Sequence, residues 1–117
     1  MKDNIVQQKS FAFAVRAVEN YKFLNQDKKE FILSKQFLRS ATSIGANIEE
    51  AIGGQSSADF ISKISISYKE ARETIYWIKL LKETSYLDEN IAESLLTDAL
   101  ELCRILAKIK ISMKKDN

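Results

Sequence analysis

Apolar residues recur along this chain at helical spacing in four separate runs, the last three in alternating steps of three and four. That spacing keeps one face of a 3.6-residue helix dry. In the first run, about residues 4–24, Val6, Phe13, Ala17, Tyr21 and Leu24 fall near one face, with Phe11, Ala14 and Val18 beside it. Asn25-Gln26-Asp27-Lys28 breaks the pattern, and Asp27 is read as the N-cap of the next helix. The second run, about 29–52, aligns Phe37, Ala41, Ile44, Ile48 and Ala51, with Leu38, Gly45 and Ile52 in a parallel stripe. Gly53-Gly54 ends it, as glycine does at a helix C-terminus. Ser56 and Asp59 have the form of a capping box opening the third run, about 57–83. Here Ile61, Ile64, Tyr68, Ala71, Ile75 and Ile78 form the line, widened by Tyr76, Trp77, Leu80 and Leu81. After Ser85-Tyr86-Leu87-Asp88, where Asp88 is read as the next N-cap, the fourth run, about 89–113, carries Ala92, Leu95, Ala99, Leu102, Leu106, Ile109 and Met113. Leu96, Leu100, Cys103 and Ala107 lie alongside, and the tail from Lys114 is expected to fray.

Each run makes a helix of roughly 30–40 Å. Breaks this short force sequential helices to run antiparallel. The expected fold is therefore all-α, an up-down-up-down four-helix bundle, in one domain spanning 1–117. No β alternation competes with it. The absence of proline and the presence of only three glycines leave the long helices uninterrupted.

The second run is unusual for its small residues. Ser40, Ala41, Thr42, Ser43, Gly45 and Ala46 crowd around a few large apolar ones. Ser, Thr and Gly add little helix propensity, so another helix is expected to approach closely there. Beside them runs a polar stripe, Arg39, Ser43 and Asn47 at steps of four, continued by Gln36 and Glu50. If buried, such a stripe needs partners, and Glu70, Glu73 or another subunit are the candidates. Tyr76 and Trp77 cannot share one core line, so one of them faces outward, as a core-edge aromatic or an interface anchor.

Composition narrows the chemistry. Hydrophobic content of 45% and charged content of 29% are ordinary for a globular protein. The net charge of +2 is less than a globally basic nucleic-acid binder carries. Without histidine there is no Ser-His-Asp or Cys-His arrangement, and the Glu-x-x-His of bundle di-iron sites cannot form. A carboxylate-only metal site would use Glu49, Glu50, Glu70 and Glu73, but pairing of Glu70 and Glu73 with Lys69, Arg72 or Arg39 is the favoured reading. No cofactor is expected and no enzyme activity. Cys103, in an apolar run, reads as a small buried hydrophobe. In the fourth helix acids precede bases, which complements the helix dipole; Lys108, Lys110, Lys114 and Lys115 could alternatively touch RNA or DNA phosphates, though no exposed aromatics interleave them. No signal peptide and no membrane span is read, which makes the cytoplasm the expected location.

The residues Gln36-x-x-Arg39-Ser40-x-x-Ser43-Ile44-Gly45-Ala46-Asn47-Ile48-x-Glu50-Ala51 resemble the signature of the bacterial four-helix-bundle proteins, also called 23S ribosomal RNA intervening-sequence proteins. The resemblance continues through Ser57-x-Asp59-Phe60-Ile61-x-Lys63 and Lys69-Glu70-Ala71-x-Glu73-Thr74-x-Tyr76-Trp77, and covers nearly the whole chain. One departure is Glu49-Glu50-Ala51, where many members have Ala-Glu-Gly, so no role can rest on a glycine at 51. The resemblance implies a four-helix bundle assembled as a homopentameric ring, and it offers no catalytic residues. A similar protein is the accessory subunit of the reverse transcriptase in diversity-generating retroelements, where it engages nucleic acid and the enzyme. Three expectations stand: a non-enzymatic, self-associating binding scaffold that could engage structured RNA or DNA, an adaptor for a protein partner such as a reverse transcriptase, and, least favoured, a carboxylate-metal enzyme.

Overall fold

The computed structural model describes residues 4–116, with side chains to Lys114. It contains α1 (Ile5–Gln26), α2 (Leu33–Ile52), α3 (Ser57–Glu83) and α4 (Glu89–Asp116), and among the described residues no strand. Sequential helices are antiparallel, and the molecule is a rod of 47 × 22 × 20 Å. A helix of α3's length spans about 40 Å, so the helices run nearly end to end. α1 packs on α2, α2 on α3, α3 on α4 and α4 on α1, and among the described residues neither diagonal pair of helices approaches as closely. That is the up-down-up-down bundle. The α1–α4 seam is the thinnest of the four.

The core follows the three-four pattern closely on α2 and α4. Phe37, Ala41, Ile44, Ile48 and Ala51 are all buried, as are Ala92, Leu95, Ala99, Leu102 and Leu106. α3 departs from the apolar line. Its buried positions are Ile64, Ser67, Ala71, Thr74, Ile78 and Leu81, while Tyr68 and Ile75 are only half-buried. The cause is the close approach of α2. The Ser67 hydroxyl donates to the Ile44 carbonyl at 2.8 Å. The Thr74 hydroxyl donates to the Glu70 carbonyl at 2.7 Å and lies 3.0 Å from Ser40 Oγ. Small hydroxyl residues meet where two bulky side chains would hold the helices apart, and their polar groups are satisfied. Gly45 serves the α1 side. A Cβ added there would lie 3.3 Å from Ser10 Oγ and 3.5 Å from Ser10 O.

The largest correction concerns the start of α2. Asp27 does not cap it; this residue closes α1, its N–H donating to the Phe23 carbonyl. α1 runs on to Gln26, with Asn25 inside it bonding Tyr21 O and Ser34 Oγ. The chain then turns through Lys29, whose φ is 55°, and α2 begins at Leu33 instead of about 29. The N-terminal N–H groups of α2 are satisfied by Glu30. Its carboxylate accepts from Ile32, Leu33 and Ser34 at 3.1, 3.0 and 2.6 Å. Burial alone would raise the Glu30 pKa, but these backbone bonds outweigh it and the pKa is lowered from 4.5. The other starts agree with the sequence. Ser56 Oγ accepts from the Asp59 N–H at 3.1 Å, and Asp88 Oδ1 from the Asn90 N–H at 2.8 Å. At the far end α4 continues past 113 to Asp116, and Lys114 suits the negative end of the helix dipole. Asn117 lies outside the described residues.

Phe11 and Val18 do not join the α1 core. They are 72% and 38% exposed, and with Val15 at 43% they form an outward stripe at steps of four and three.

Candidate binding surfaces

Arg39 on α2 reaches across the seam to α3. Its guanidinium lies 3.3 Å from Glu70 Oε1 and pairs with Glu73. Glu73 also accepts the Trp77 indole N–H at 3.0 Å. That indole bond is the main cause of the lowered Glu73 pKa, with Arg39 adding to it against the effect of burial. Trp77 therefore packs at the core edge, its polar end held, while Tyr76 is 59% exposed and stacks edge-on at 5.0 Å. Ser43 and Asn47 of the stripe bond within their own helix. Ser43 donates to the Arg39 carbonyl at 2.6 Å, and Asn47 to the Ser43 carbonyl at 2.8 Å. Glu50 pairs with Lys63 of α3 at 2.8 Å, and Glu49 accepts from Gln7 of α1 at 2.6 Å. Gln36, Asp59 and Lys69 are exposed, Asp59 within the first turn of α3 and Lys69 on its outer side. The sequence motif is thus a stitched α2–α3 seam, not a pocket.

This arrangement occupies the carboxylates a metal would need. Glu70 and Glu73 face one guanidinium, while Glu49 and Glu50 bond different helices. Among the described residues no three His, Cys, Asp or Glu side chains gather as a metal cluster. Cys103 is buried in the apolar run, and burial pushes its thiol pKa up, away from reactivity. An open cleft of about 600 Å³ between the α2–α3 turn and Met113 has no titratable side chain in its lining. Among the described residues no helix is long and apolar enough to cross a membrane.

The lysines of α4 do not make one patch. Lys108 and Lys110 are two residues apart, about 200° around a helix. Lys108 and Lys114 are exposed. Lys110 is half-buried, its ammonium 4.8 Å above the Tyr68 ring. The side chain of Lys115 lies outside the described residues. The surface that the sequence reading missed lies higher, between α3 and α4. Tyr68, Arg72, Ile75 and Lys79 from α3 face Leu100, Cys103, Arg104 and Ala107 from α4 across a groove of about 300 Å³. The signal was present as cations beside apolar residues at helical spacing, but which helices they bring together is a tertiary fact.

Comparison with known proteins agrees with this architecture. A crystal structure of a protein of unknown function from the S23 ribosomal protein family of Bacteroides thetaiotaomicron VPI-5482 superposes with a TM-score of 0.89. It is 52% identical, over 91% of this chain and 98% of that one. No curated protein sequence matches the chain. The family model for the 23S rRNA-intervening sequence protein matches residues 2–108, and the chain therefore belongs to that family.

Proposed function

We propose that this chain is a non-enzymatic, cytoplasmic binding scaffold that works as a closed homo-oligomer, a pentameric ring being the form suggested by the family resemblance. The outward face of α1 carries the reading. Phe11, Val15 and Val18 form an exposed apolar stripe on a helix whose other face is already in the core. Ala46 takes an exposed position on α2, leaving room for a neighbour to come close. Covering a phenylalanine and two valines contributes on the order of 1–3 kcal/mol per side chain. A ring needs this stripe to meet a different surface of the next copy. The non-enzymatic part draws support from the lack of histidine and from candidate carboxylates engaged in pairs.

Native mass measurement and sedimentation at micromolar concentration test the assembly. The expected result is a closed oligomer, reduced toward monomer by F11D/V15D with the helical circular dichroism retained. A monomeric wild type overturns the reading. The scaffold's partner would be a protein, a reverse transcriptase being the one the resemblance suggests. Nucleic acid is the second reading, favoured by the exposed Lys108 and Lys114 near the end of α4. It predicts RNA affinity that falls steeply with salt, and a slope reduced by about two when both lysines are made neutral. Affinity independent of salt excludes it.

A further inference from the structure

We propose that the groove between the middle of α3 and the C-terminal half of α4 seats an acidic amphipathic helix from a partner protein. This rests on the scaffold reading above and names the chemistry of what the scaffold holds.

Charge balance across the seams points to this groove. On the α1–α4 seam Lys9 meets Glu101 at 3.2 Å and Arg16 meets Asp98 at 2.7 Å. On α2–α3, Arg39 meets Glu70 and Glu73, and Lys63 meets Glu50. At the upper end of α3–α4, Lys82 meets Glu93 at 2.5 Å. Below that, the pattern stops. Arg72, Lys79 and Arg104 line the groove with no carboxylate in its lining, and Lys110 stands beside them on Tyr68. Arg72 has the Tyr68 hydroxyl as its neighbour, at 3.2 Å. Among the described residues none of these four cations is in an ion pair. A cluster of like charges without counter-charge raises the local potential and attracts anions.

The floor decides which anion. Ile75, Leu100 and Ala107 lie between the cations, and Leu100 is 43% exposed. Phosphates and ribose gain nothing from an aliphatic floor. A helix that carries an apolar stripe flanked by Asp or Glu satisfies both parts at once, as in helix-in-groove recognition. The register also fits. Arg72 and Lys79 are seven residues apart on α3, about 10 Å along the axis, the separation of carboxylates placed two turns apart on a partner helix. Arginine and tyrosine beside an apolar floor are the residue types that dominate binding energy at such contacts.

The test titrates the full chain with a labelled synthetic peptide of about 18 residues, Leu at helical spacing and Glu on the flanks. A scrambled peptide of the same composition and a single-stranded RNA of equal charge serve as controls. Anisotropy gives affinity, and native mass gives assembly in parallel. The amphipathic peptide is expected to bind at least about tenfold more tightly than the scrambled one. R72E/R104E and, separately, L100D are each expected to weaken it by about tenfold or more, with oligomer mass and helicity unchanged. R72Q/R104Q provides a milder variant should charge reversal impair folding. Equal binding of the scrambled peptide, or RNA binding lost in these variants while the peptide is ignored, overturns the proposal. A change of oligomer mass in L100D also overturns it, by making the groove a contact between copies. The two readings fail separately. A monomer that still binds the peptide through the groove removes the ring alone. An intact oligomer that ignores the peptide removes the groove alone.

Discussion

Glu30 shows how one side chain can set an element's start. Its carboxylate holds the N–H groups of Ile32, Leu33 and Ser34, doing the work usually done by Ser, Thr, Asn or Asp at the N-cap. Glu30→Ala is expected to cost about 1–2 kcal/mol in urea unfolding at neutral pH, by analogy with the loss of a cap. The pH dependence has a definite sign. The folded pKa is lowered below 4.5, so the stabilisation is complete above the unfolded value and disappears as pH falls through the folded one. The gap between wild type and variant should therefore narrow only in acid, below about pH 4.5; a gap that widens there would contradict the assignment. Gly45 makes a second prediction. The helix propensity gained by Gly45→Ala, up to about 1 kcal/mol, opposes a slightly tight contact with Ser10, and the two should nearly cancel in thermal unfolding. Gly45→Val has no such compensation and should cost about 2 kcal/mol or more by forcing α1 away.

At the scale of elements, the α2–α3 seam differs from a leucine-filled interface. It is built from serine, threonine and alanine inside, with Arg39, Glu70, Glu73 and Trp77 along its rim. The inner hydroxyls matter more than the rim charges, because buried groups lose their partners outright while exposed pairs are screened. Ser67→Ala should cost about 1 kcal/mol. Arg39→Ala should cost less than about 1 kcal/mol, since the guanidinium is half-exposed, and the loss should shrink further in molar salt. A larger, salt-independent effect at Arg39 would point to a partner beyond Glu70 and Glu73. The elements themselves were legible in the sequence because helix period, Gly53-Gly54 and the Ser56 and Asp88 caps are local signals. The start of α2 was not, because Glu30 lies two to four residues ahead of the N–H groups it holds and has no conventional cap form.

For the whole molecule, two features lie outside the core: the apolar stripe on α1 and the cationic groove between α3 and α4. Self-association predicts a specific pattern of hydrogen exchange. α1 is tied to α4 by the thinnest seam, so in F11D/V15D its amides should exchange fastest among the four helices, and assembly should slow them in the wild type. The family motif around residues 36–51 was visible in the chain, yet Arg39 and Glu50 turn out to fasten α2 to α3 while Ser43 and Asn47 bond within α2, and the richer surface lies elsewhere.

The amino-acid sequence by itself determined that there are four helices, their antiparallel order and the dry faces of α2 and α4, because all of these follow from periodicity and short breaks within a few turns of chain. Only the tertiary structure decided that Ser67 and Thr74 displace Tyr68 and Ile75 from the centre, that Phe11 faces outward, and that Arg72, Lys79 and Arg104 line a groove with no carboxylate in its lining, Lys110 standing beside it. Those outcomes depend on how closely one helix approaches another and on which charges then face across the gap, and no local pattern encodes a distance between segments far apart in the chain.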